Sequence, residues 1–145
     1  MRINEVLAAK SIAEVVTVRP DATVRDLLAV LAEHNIGALV VSVDGSSVDG
    51  IVSERDVVRR MQQDEALWDS PVTAIMSSDV HTCRGQDSVE AVMALMTMRR
   101  IRHVPVVADG SLVGIVSIGD VVKSRMSQLE FERDQLDSYV QSAQS

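Results

Sequence analysis

Ser53 and Asp56 close the phrase GIVSERD at Gly50–Asp56, and Ser117 and Asp120 close GIVSIGD at Gly114–Asp120. Each time a hydroxyl and a carboxylate stand three residues apart, just past a short apolar run. Where a strand hands over to a helix, that pair can do two kinds of chemistry. The Ser can cap the helix while the Asp meets the positive end of its dipole, an effect of roughly 0.3–1 kcal/mol. At the mouth of a cleft the same pair can read a sugar. A carboxylate accepts hydrogen bonds from two vicinal ribose hydroxyls, and the Ser hydroxyl serves the sugar or a phosphate. The free N–H groups of the helix start favour phosphate. Ile51 and Ile115, with Ile36 and Ile101, offer apolar surfaces to a flat purine.

These residues are placed by an internal duplication. Displacing the chain by 65 residues puts Thr17, Arg19, Val24, Ile36, Val41 and Asp44–Ser46 onto Thr82, Arg84, Val89, Ile101, Val106 and Asp109–Ser111. After a one-residue deletion the two GIVS phrases coincide, with Asp56, Val57 and Val58 on Asp120, Val121 and Val122. Even the lead-in recurs loosely, Ile3–Leu7 (INEVL) resembling Val72–Met76 (VTAIM). Each copy reads as strand, helix, strand, strand, helix. Pro20 and Asp21 set a turn before a helix capped by Thr23, and Asp87 or Ser88 takes the capping place in the second copy. Val24, Leu27, Leu28 and Leu31 mark one helix face, as do Val89, Val92, Met93 and Met96. IGALVVSV is too short for a globular helix and rich in β-branched residues, so it reads as a buried strand leading into a DGS hairpin.

One copy alone buries little core, so the two must share one. The expectation is an α+β fold of two β-α-β-β-α repeats about a pseudo-two-fold axis, with two equivalent clefts between the halves. The boundaries run 3–61 and 72–124, with a polar linker at 62–71 and a helical tail at 125–145. In that tail Met126, Leu129, Leu136 and Val140 lie near one stripe, broken by Arg133. It packs on its own module, pairs two copies, or serves as a handle for another protein.

Composition narrows the function. The formal charge of −7 repels a phosphate backbone, and one Phe, one Tyr and one Trp make no stacking platform, so nucleic acid is not an expected partner. The lone Cys83 excludes an internal disulfide, and by its alignment with Val18 it reads as a small core residue. His34, His81 and His103 lack metal-ligand spacing. No run approaches ~20 apolar residues, and MRINEVLAAK lacks a signal peptide's apolar core, so a soluble cytoplasmic protein away from membranes is expected. A nucleotide hydrolase using Asp56 or Asp120 would need a base, nucleophile or metal cluster nearby, and the sequence shows none.

The two copies, each a strand–turn–helix followed by the Gly-Ile-Val-Ser-x-x-Asp phrase, resemble a tandem pair of CBS domains, the Bateman module, over almost all of residues 3–124. IRHVPVV at Ile101–Val107 is also typical of that family. The resemblance implies a non-catalytic regulatory module that binds an adenine nucleotide (AMP, ADP, ATP, NAD or S-adenosylmethionine), commonly as a homodimer. By position it assigns one cleft Ser117 and Asp120 for ribose and Ser11, Val16, Ile36, Gly37 and Ala38 for the base, with Arg102 and His103 where the family often holds phosphate. The other cleft takes Ser53 and Asp56 with Met76, His81 and Ile101. Gly37 and Ala38 align with Arg102 and His103, and Arg55 aligns with Gly119, so the two sites are expected to differ in affinity. The resemblance to a stand-alone pair implies a sensor that acts through an unidentified protein target. A module that binds a protein without any ligand is the alternative.

Overall fold

In the computed structural model, which describes residues 1–10 and 15–144, the chain opens with helix α1 (Ile3–Ala9) and strand β1 (Thr17–Val18). Helix α2 (Val24–His34), strands β2 (Ala38–Val41) and β3 (Gly50–Ser53), and helix α3 (Glu54–Met61) complete the first half. Two 3-10 turns, Leu67–Asp69 and Val72–Ala74, lead into helix α4 (Val89–Arg99), strands β4 (His103–Ala108) and β5 (Ser111–Ser117), and the long helix α5 (Ile118–Gln144). No helix among the described residues is long and apolar enough to cross a membrane.

Local chemistry sets the element ends. Thr23 caps α2 in a reciprocal box with Asp26, and Ser88 caps α4 through the Ala91 amide. Asp87, the other candidate cap, accepts instead from the Arg84 amide at 2.8 Å. Asn35 and Arg100 end the two helices in the left-handed conformation, at φ 53° and 54°. In the second hairpin Asp109 and Gly110 both have positive φ, 51° and 78°, the signature of a two-residue type I′ turn. The first hairpin is longer. There the Asp44 carboxylate accepts from the Ser46 and Ser47 amides at 2.8 Å each, so a side chain closes the loop.

The first sheet runs β1-β2-β3, with β1 parallel and β3 antiparallel to β2. In the second half β4 and β5 pair antiparallel, and the expected opening strand shrinks to one parallel bridge, Cys83 with Val106. Its cause is visible in the register. The Cys83 amide donates to Pro105 and the Val107 amide to Cys83. Lengthening that ladder as β1 does would require the Pro105 amide to donate, and proline has no N–H.

Two apolar clusters form the core. The first gathers Leu27, Leu39, Val41 and Val52 with Leu67, Val72 and Ile75; the second gathers Val89, Met96, Val104, Val106 and Val116 with Ile3 and Val6. The lead-in segments have therefore changed places. α1 precedes the first repeat yet fills the second core, and the turn around Val72 precedes the second repeat yet fills the first. Backbone bonds pin the exchange: the Ile3 amide to Asp87, Asn4 to Gly85, and Val72 to Ala22.

The exchange explains the glycine of the duplicated phrase. Gly50 and Gly114 are buried in strands without positive φ. A Cβ on Gly50 would stand 2.6 Å from Met76 Sδ and 3.0 Å from the Ser77 carbonyl; one on Gly114 would stand 2.8 Å from Leu7 Cδ2. Each glycine opens the space through which the other half's lead-in passes.

Candidate functional site

The duplicated Ser and Asp build the same junction twice. Ser53 and Ser117 end strands β3 and β5, and each hydroxyl accepts the amide of the Asp three residues on, at 3.4 and 3.2 Å. The Asp returns a bond: Asp56 Oδ2 accepts the Ser53 amide at 2.8 Å, and Asp120 Oδ2 accepts the Ser117 amide at 2.9 Å. These are capping boxes. Capping does not exhaust the carboxylates, because among the described residues every hydrogen bond to either falls on Oδ2. Each carboxylate lines the adjoining space.

That space is a pair of clefts, of about 490 and 590 Å³. Each mixes the halves. The first joins Ser117, Asp120 and Ile115 of the second repeat to Val16, Ile36, Gly37 and Ala38 of the first. The second joins Ile51, Ser53 and Asp56 to His81, Ile101 and Arg102. Gly37, Ala38 and His103 line both, so the starts of β2 and β4 form the partition. A Cβ on Gly37 would lie 3.9 Å from His103 Cε1 and 3.5 Å from Glu54 Oε1, which shows how closely the partition is packed. The Glu54 amide bonds Gly37 O at 3.0 Å and the Ile118 amide bonds Arg102 O at 2.8 Å, locking each helix start to the strand entrance of its own half.

Two of the residues named from the sequence fall elsewhere than their assigned places. Arg102 lines the Ser53–Asp56 cleft rather than the one with Ser117. Met76 lies beneath the floor, its sulfur against Gly50 and its stem against the first core. Ser11 lies outside the described residues.

Charge distinguishes the clefts. In the first, Lys10 at the end of α1 stands 2.9 Å from Asp120 Oδ2 and donates to the Ile115 carbonyl at 2.8 Å. Burial works to raise the Asp120 carboxyl, but the Ser117 amide and the Lys10 ammonium overcome it and hold the group below its usual range. His103 is shifted down chiefly by burial, which the nearby Asp120 only partly offsets, so its ring is neutral at pH 7. In the second cleft Asp56 keeps only its Ser53 partner among the described residues, and Arg55, Arg59, Arg100 and Arg102 stand around it. Lys10 was not among the residues singled out from the sequence. A signal existed, because extending the lead-in alignment places Lys10 on Asp79, opposite in charge.

Two stretches of the chain, residues 9–63 and 72–127, match the family model of the CBS domain. The chain is 37% identical over 126 residues to the mitochondrial CBS domain-containing protein CBSX3 of Arabidopsis thaliana, covering 83% of this chain and 61% of that relative's length. It is 32% identical over 114 residues to the CBS domain-containing protein YhcV of Bacillus subtilis, covering 79% of this chain and 81% of that one. A solved CBS-domain protein from Burkholderia ambifaria superposes with a TM-score of 0.82 at 38% identity, over 88% of this chain and 95% of that one. The CBS-domain pair of the protein MJ0100, solved with 5′-methylthioadenosine and S-adenosyl-L-methionine, shares the fold at a TM-score of 0.78 and 23% identity, over 88% of this chain and 98% of that one.

Proposed function

Starting from a chain that belongs to the CBS-domain family, we propose that its two clefts bind adenine nucleotides and that occupancy changes the chain's shape or its affinity for a partner. The observation that carries the reading is the reciprocal pair of half-engaged carboxylates. Asp56 and Asp120 each keep an oxygen clear of the capping bonds, at the edge of a cleft whose opposite wall comes from the other repeat. Clefts of this size fall in the range of about 300–1,000 Å³ usual for small-molecule sites. Their linings suit the parts of a nucleotide: isoleucine and valine for the base, Ser and Asp for ribose, and Arg or Lys for phosphate. That the MJ0100 pair binds two adenosine-containing compounds in the same fold supports the class of ligand. AMP, ADP, ATP, NAD and S-adenosylmethionine all belong to it.

The working unit in this reading is a homodimer. Past its first turns α5 exposes Met126, Leu129, Leu136 and Val140, at 56, 48, 65 and 49%, along one stripe. The same stripe favours a second reading, a module that docks a protein through α5 with no ligand. Calorimetric titration with AMP, ATP, NAD and S-adenosylmethionine tests the first. Saturable binding is expected, with Asp56→Ala and Asp120→Ala each removing one site. No heat from folded, nucleotide-free protein with any of the four overturns it and leaves the α5 reading.

A further inference from the structure

We propose that Lys10 keys the first cleft to anionic ligands, so that uncharged adenosine enters the second cleft alone while phosphorylated adenosine enters both. The inference rests on the nucleotide-binding reading above and goes further in giving the two clefts different ligand classes.

The two ribose-facing carboxylates are alike in backbone and unlike in what holds them. Asp120 Oδ2 takes a bond from the Ser117 amide and another from the Lys10 ammonium, whose side chain, like that of Asp120, is only 25% exposed. The ammonium is fixed from a second direction by the Ile115 carbonyl. Lys10 also ends α1, and Leu7 beside it is seated against Gly114. The ammonium is therefore held over the carboxylate by a helix anchored in the same half as Asp120.

At the matched place in the second cleft stands Asp79, seven residues after Val72 as Lys10 is seven after Ile3. Asp79 is exposed and brings no cation to Asp56. The two positions, matched in sequence, are thus opposite in sign.

The consequence follows from exchange of partners. A ribose whose two hydroxyls take both oxygens of Asp120 must compete with the ammonium at Oδ2. A neutral nucleoside offers Lys10 nothing in return, and a partly buried charge left without its partner is unfavourable. A ligand with a phosphate supplies a replacement anion, and the exchange becomes nearly even. In the second cleft Asp56 is held by its own Ser53 and, among the described residues, by no cation, so adenosine leaves no charge unpaired there, and the arginines lining that cleft strengthen the binding of compounds that carry a phosphate.

The test is calorimetric titration of the full chain with adenosine and with AMP. Wild-type protein should bind one equivalent of adenosine, lost in Asp56→Ala, and two of AMP. Lys10→Met should raise adenosine to two equivalents and weaken AMP in the first cleft by roughly tenfold to a hundredfold, whereas Lys10→Arg should titrate as wild type. Asp79→Lys, at an exposed position that poses no folding problem, should impose the same demand on the second cleft and abolish adenosine binding there. Two equivalents of adenosine in the wild type, or unchanged titrations in both Lys10→Met and Asp79→Lys, would overturn this inference while leaving the nucleotide reading in place. Silence from both compounds in every variant overturns this inference, and silence from ATP, NAD and S-adenosylmethionine as well overturns the nucleotide reading.

Discussion

Ile3 belongs by position to the first repeat and by packing to the second, and Ile3→Ala separates the two. The side chain is fully buried against Val89, Met96, Val104, Val106, Val116 and Cys83. Truncating a buried Ile costs about 2–5 kcal/mol, a large part of the roughly 5–15 kcal/mol that holds a domain folded. With a urea slope of about 2 kcal/mol/M, a loss near 3 kcal/mol lowers the unfolding midpoint by roughly 1.5 M. The chain carries a reporter in each half. Cys83, its one cysteine, is 5% exposed in the second core, and burial pushes its thiol up to about 11, so a thiol reagent reaches it only when that core opens. Trp68, its one tryptophan, adjoins the first core, 5.6 Å below the Arg25 guanidinium of α2. In Ile3→Ala, labelling of Cys83 without denaturant should speed up by roughly 150-fold for 3 kcal/mol, with Trp68 fluorescence unmoved. Val72→Ala, the mirror change, should disturb Trp68 first. An Ile3→Ala protein with wild-type Cys83 labelling and an altered Trp68 signal would refute the exchange of lead-ins and return α1 to its own repeat.

The same packing ranks the glycines. Gly50→Ala should destabilise more than Gly114→Ala in thermal melts, because the Ser77 carbonyl behind Gly50 is backbone and cannot turn aside as the Leu7 side chain can. Removing either capping hydroxyl, by Ser53→Ala or Ser117→Ala, should cost about 1 kcal/mol in urea unfolding without added ligand, since the box forms in the empty protein. Acid should weaken the fold in two stages. His103 titrates below its ordinary 6.5 in the folded chain, so unfolding takes up a proton and stability falls as pH drops through 6.5 toward the folded value; melts between pH 7 and 5 should show the fall, and His103→Gln should flatten it. Asp120 is held below its ordinary 3.8, so its contribution is full above that value and disappears as pH falls through the folded one; Lys10→Met should shrink this second stage.

The residues that make local structure were readable because their signals are local. Thr23, Ser88 and the Asp109–Gly110 turn act on neighbours a few positions away, and each takes the role its chemistry suggests. The absence of Gly and Pro after Lys123 likewise let α5 run on to Gln144. What the sequence hid depends on contacts across the duplication. INEVL and VTAIM share only an apolar pattern, which says that a face is buried and not which half buries it. The short first strand of the second half follows from one missing N–H at Pro105, legible only once the register is known. The carboxylates were found because they repeat. Lys10 was missed because it does not: at its matched place stands an aspartate, and a search for likeness passes over a charge reversal.

The exchanged lead-ins give the clefts a physical connection to the rest of the molecule. α1 and its C-cap do two things within eight residues: Ile3 and Val6 complete the second core, and Lys10 reaches into a cleft whose far wall is the first repeat. The 3-10 turn at Val72–Ala74 is its counterpart. It completes the first core, and three residues past its end the Ser77 backbone pairs both ways with Ile51, on the wall of the second cleft. A ligand that draws Lys10 from Asp120 therefore acts on the end of a helix whose other end is fixed in the core. A ligand shifts a conformational equilibrium only by its differential affinity for the two states, and in the proposed exchange the Lys10–Asp120 bond is what a ligand in the first cleft would change. Asp56 offers no such bond to break. On this geometry the second cleft is suited to hold a ligand and the first to respond to one.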